Sequence, residues 1–95
     1  MSEDFYTVPE LKECVDKLAL DAHIKIDLRI DRHGPTFPIR PLPWILKRLL
    51  EETGELSEAL LYGTSPENII SECADIVVFA SQIADEARTK MEILG

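Results

Sequence analysis

The sequence predicts an all-α fold: an antiparallel helical hairpin and an N-terminal helix, completed to a four-helix-bundle-like core by association with another copy. Three observations predict it. Apolar residues recur at helical spacing in two long stretches on either side of residues 63–66. Between them, Gly63 and the run Ser65-Pro66-Glu67 supply a helix stop and a restart. The chain has 95 residues, room for one domain (1–95) whose core is thin without a partner.

After Pro9, the residues Leu11, Cys14, Val15, Leu18 and Ala22 fall on one side of a short amphipathic helix, with Lys12, Glu13, Asp16 and Lys17 on the other. The period then changes. Ile24, Ile26, Leu28 and Ile30 alternate with Lys25, Asp27, Arg29 and Asp31, which is the two-residue period of a half-buried strand. A continued helix would carry Lys25 and Arg29 onto its apolar stripe. The balance therefore leans to a short extended segment at 24–30, paired across a subunit interface.

In residues 32–43, Pro35, Pro38, Pro41 and Pro43 block regular hydrogen bonding. They predict an ordered arm, with Phe37 and Ile39 reaching a neighbouring subunit and walling its site. Pro43 suits the first turn of the next helix, which carries Trp44, Ile45, Leu49, Leu56, Ala59 and Leu60 to Tyr62. Ser65 caps the last helix, and around 76–80 that helix is apolar on every side, as a helix buried among others would be. Two long helices about a tight turn make an antiparallel hairpin.

Charge narrows the function. Asp and Glu number 18 against 10 Lys and Arg, a net charge of −8. Nucleic-acid binding needs a basic footprint, and an anionic membrane surface repels such a chain. The longest apolar run, 76–80, falls far short of the roughly 20 residues that span a bilayer. Two cysteines, Cys14 and Cys73, do not make a disulfide framework, and the expectation is a cytoplasmic protein.

The carboxylates carry the chemistry. Glu52 and Glu55 on the second helix, and Glu72 and Asp75 on the third, are i, i+3 pairs, each on one helical face. Folding the hairpin about Thr64 sets Glu55 opposite a position near 73 and Glu52 opposite one near 76. The two pairs come level. Four carboxylates gathered beside Leu56, Leu60, Ile76 and Phe79 could not all ionise without compensation, and a hard divalent cation, Mg²⁺ or Mn²⁺, supplies it. A di-iron site typically needs Glu-x-x-His on two helices, and His23 and His33 both lie outside the hairpin.

Glu51-Glu52-x-x-Glu55, followed after a short turn by Glu72-x-x-Asp75, resembles the MazG-like nucleotide pyrophosphohydrolases over about residues 44–85. That all-α superfamily also holds dimeric dUTPases and phosphoribosyl-ATP pyrophosphohydrolases. The resemblance implies a Mg²⁺-dependent hydrolysis of a nucleoside triphosphate to the monophosphate and pyrophosphate, serving to clear noncanonical nucleotides, in a homodimer or a tetramer built as a dimer of dimers. By position, Glu52, Glu55, Glu72 and Asp75 would be metal ligands. Glu51 would orient the attacking water, and Arg48, three before the acidic pair, would neutralise phosphate charge. Gln82 stands where the family often has Asn, and this departure bears on base or sugar recognition.

Trp44 could stack on a base, although anchoring the arm on the core is the simpler role. A phosphoribosyl-ATP pyrophosphohydrolase is a second enzyme reading; its usual Tyr-His pair after the Asp is absent, since Val78-Phe79-Ala80 follows here. A third reading is a non-catalytic helical oligomerisation module with a solvated acidic face.

Overall fold

The computed structural model describes residues 4–34 and 39–94. They form α1 (Val8–His33), α2 (Leu42–Tyr62) and α3 (Pro66–Leu94), with no strand among the described residues. The fold is all-α. α3 packs against both other helices, while α1 and α2 do not pack on each other among the described residues.

α1 opens on a reciprocal cap. The Thr7 hydroxyl accepts from the Glu10 N–H at 3.2 Å, and the Glu10 carboxylate accepts from the Thr7 N–H at 2.8 Å. The helix then continues for 26 residues, so the expected short helix and the extended segment at 24–30 are both corrected. The alternating apolar residues are two i, i+4 couples on different helical faces. Ile26 and Ile30 are half-buried, whereas Ile24 and Leu28 are 49% and 51% exposed. Lys25 does not spoil the inner face, because Asp75 of α3 meets its ammonium at 3.1 Å. α1 also takes Arg32 and His33 from the expected arm. Residues 35–38, including Phe37, lie outside the described residues, and Ile39 is fully exposed.

The hairpin forms as its punctuation requires. Pro43 lies in the first turn of α2, and Gly63, at φ +88°, ends the helix with its N–H on the Ala59 carbonyl at 3.0 Å. Ser65 then caps α3, its hydroxyl accepting from the Asn68 N–H at 3.2 Å.

The core is small. Ala22, Ile45, Ala74 and Phe79 are the buried apolar residues among those described, and Glu52 is buried with them. Much of the predicted apolar stripe of α1 is uncovered, including Leu11 and Val15. The accessible surface of 7730 Å² exceeds the roughly 5,500 Å² of a compact monomer of this mass. The radius of gyration, 15.8 Å, likewise exceeds the roughly 12 Å expected for a compact domain of this length.

Candidate metal centre

The hairpin brings three of the four expected ligands together. Carboxylate oxygens of Glu52, Glu55 and Glu72 all lie within 4.8 Å of one another. Glu52 comes from the face of α2 that packs on α3 and is only 5% exposed; Glu72 is half-buried and Glu55 sits at the solvent edge. Burial, the close approach of the Glu72 carboxylate, and the charges of Glu55 and Asp75 push the Glu52 carboxyl from 4.5 up to about 7.

Glu72 Oε2 is buried and finds no hydrogen-bond donor among the described residues. With Glu52 and Glu72 both ionised, nothing among the described residues satisfies that oxygen. A proton on Glu52 would satisfy it, and so would a cation at the centre of the three. An all-oxygen donor set of this charge fits Mg²⁺ or Mn²⁺ rather than a softer metal.

Asp75 stands beside this group without joining it. Its charge reaches Glu52, but its Oδ2 accepts from Lys25 Nζ at 3.1 Å. Arg48 is similarly committed. One end of its guanidinium pairs with Glu51, the other donates to Glu52 Oε1 at 3.2 Å, and its plane lies 5.7 Å from the centre of the Phe79 ring. Glu51 is therefore held next to the centre, on the solvent side. Trp44 meets Phe79 edge-on at 6.5 Å, with Arg40 stacked on it at 5.1 Å, so it does pin the end of the arm to the core.

Gln82 is one turn beyond Phe79 along α3, at the meeting of three clefts. One of about 420 Å³ is mainly apolar, lined by Ala22, Ile26, Val77 and Val78. Lys25 is the site residue that sequence reasoning missed. The signal was present: Lys25, Arg29 and Arg32 follow an i, i+4, i+7 helical row, which the strand reading of 24–30 hid.

Compared with protein-family models, curated proteins and solved structures, the chain matches none.

Proposed function

We propose that this protein is a Mg²⁺-dependent nucleoside triphosphate pyrophosphohydrolase acting as a homo-oligomer. The observation that carries the proposal is the convergence of Glu52, Glu55 and Glu72, together with a buried Glu72 oxygen that has no donor among the described residues. The motif resemblance agrees with it. So does the net charge of −8, since an acidic protein needs a cation to bring a polyanionic substrate to carboxylates.

Glu52, Glu55 and Glu72 would hold Mg²⁺, which when bound neutralises phosphate oxygens and makes water a better nucleophile at neutral pH. Asp75 completes the acidic wall once Lys25 is drawn away from it. Glu51 orients the attacking water and accepts its proton. Water adds to the α-phosphorus, the bond to the α–β bridging oxygen breaks, and pyrophosphate leaves with the bonding pair. Arg48 fixes Glu51 and Glu52 relative to each other. Gln82 and the apolar cleft beside it offer contacts for the nucleoside.

A panel of nucleotides, assayed with and without Mg²⁺ and reading pyrophosphate separately from phosphate, tests the proposal. Pyrophosphate release should require Mg²⁺ and fall by at least about 100-fold in Glu55→Gln, as expected when a metal ligand is weakened. Asp75→Asn should lose activity as well. Full turnover by both variants would remove the basis for the reading. The exposed apolar residues of α1 and α2 favour a second reading, a non-catalytic oligomerisation module, and calorimetric titration showing no saturable Mg²⁺ site would favour that instead.

A further inference from the structure

Arg48, the cation that the motif offers for phosphate, has both ends of its guanidinium engaged by Glu51 and Glu52. One guanidinium shared in this way leaves most of an oligophosphate's charge unbalanced, so further positive charge is needed on a chain whose net charge is −8. The structure supplies it on α1. Lys25, Arg29 and Arg32 follow one helical row and line a single cleft of about 420 Å³ together with Asp75, Phe79 and Gln82. Over seven residues the row is about 10 Å long, long enough for an oligophosphate chain. Its inner end is tied to the acidic wall by the 3.1 Å contact of Lys25 with Asp75. Arg29 and Arg32 stand one and two turns further out, at the exposed mouth.

We propose that this row is the seat for the phosphate chain of the substrate, with Lys25 at the carboxylate end and Arg29 and Arg32 gripping the outer phosphates. The inference rests on the proposed function for its choice of ligand. Guanidinium groups suit phosphate because their N–H forks bind two oxygens at once. Pairing with Asp75 explains how Lys25 is tolerated on the side of α1 that faces α3, while Arg29 and Arg32 are exposed. Basic residues near a helix C-terminus also stabilise that helix against its own dipole, which is a purely structural use of the same residues. The two uses differ in what they do to phosphate affinity.

Inorganic tripolyphosphate is the probe, titrated by calorimetry into the full chain with and without Mg²⁺. The variants are Arg29→Gln, Arg32→Gln and the pair together, with Mg²⁺ binding and helical content measured on each. Each single change should weaken tripolyphosphate binding about tenfold, the loss of one charge-assisted contact, while Mg²⁺ affinity and helical content stay within twofold of wild type. Unchanged tripolyphosphate affinity in the folded double variant overturns the seat, whatever Mg²⁺ does. Arginine-dependent tripolyphosphate binding in a wild-type chain that takes up no Mg²⁺ supports the seat and overturns the metal centre. Lys25→Met serves as a further check: loss of tripolyphosphate binding with an unaltered melting temperature supports the seat, and a lowered melting temperature with unaltered binding assigns Lys25 to packing and overturns its place in the row.

Discussion

Glu52 is held where its charge is opposed on several sides. It is buried against α3, within reach of Glu72, Glu55 and Asp75, and even with Arg48 as a donor its carboxyl is raised from 4.5 to about 7. In the unfolded chain the same group titrates near its ordinary value. Between these values the folded state keeps a proton that the unfolded state has released. The stability this proton contributes is fully present below 4.5 and lost as pH rises through about 7. The metal-free protein should therefore melt lower at about pH 8 than at about pH 5.5, and Glu52→Gln should flatten that difference. Mg²⁺ should restore the melting temperature at the higher pH, because it binds the folded, ionised form. Calorimetric melts of wild type and Glu52→Gln, with and without Mg²⁺, check all three statements. An unaltered pH dependence in the variant would show that the proton sits elsewhere.

α2 and α3 were legible because their ends are marked by residues with one strong local preference. Gly63 can take a positive φ, Ser65 can bond a free N–H, and Pro43 loses nothing in a first turn. The register of the carboxylates followed, since two helices leaving one tight turn keep equal distances from it. α1 was harder. Ile24, Ile26, Leu28 and Ile30 satisfy a period of two, and they equally satisfy two helical faces. The fact that decides between them is Asp75, 50 residues away in sequence, which local spacing cannot reveal. The same blindness hid Lys25 as a site residue. Gly63 is the test of the hairpin. At φ +88° and ψ 142° it occupies a region that side chains avoid, although a Cβ there would meet open space. Gly63→Ala should thus cost roughly 1–3 kcal/mol through backbone strain alone. In a domain of this size about 1 kcal/mol lowers the melting temperature by roughly 4–8 °C. A thermal melt reads this directly, and no change would mean that the turn relaxes into another conformation.

The whole molecule has more surface than one compact copy needs. Its 7730 Å² exceeds the compact value by roughly 2,200 Å², while a standard interface covers about 800 Å² on each partner. The excess is enough for one large interface or two ordinary ones. It is also apolar in the right places. On α2, Leu46, Leu50 and Leu61 are 50%, 62% and 75% exposed. They share a side of the helix, since 11 residues make very nearly three turns, and Glu52 lies on the opposite side, toward α3. One face of α2 thus builds the candidate metal centre while the other is left without cover. A second copy offers the same stripe in return, as two-fold association requires. Light scattering at micromolar concentration should accordingly give at least twice the 10.7 kDa chain mass. Leu50→Lys should shift the population toward the single chain, because a charge buried in an apolar contact is costly unless paired. Its melting temperature should fall with dilution more steeply than that of wild type, since assembly stabilises by mass action. A wild-type particle of 10.7 kDa whose melting temperature does not depend on concentration would mean that the leucine stripe of α2 serves no second copy.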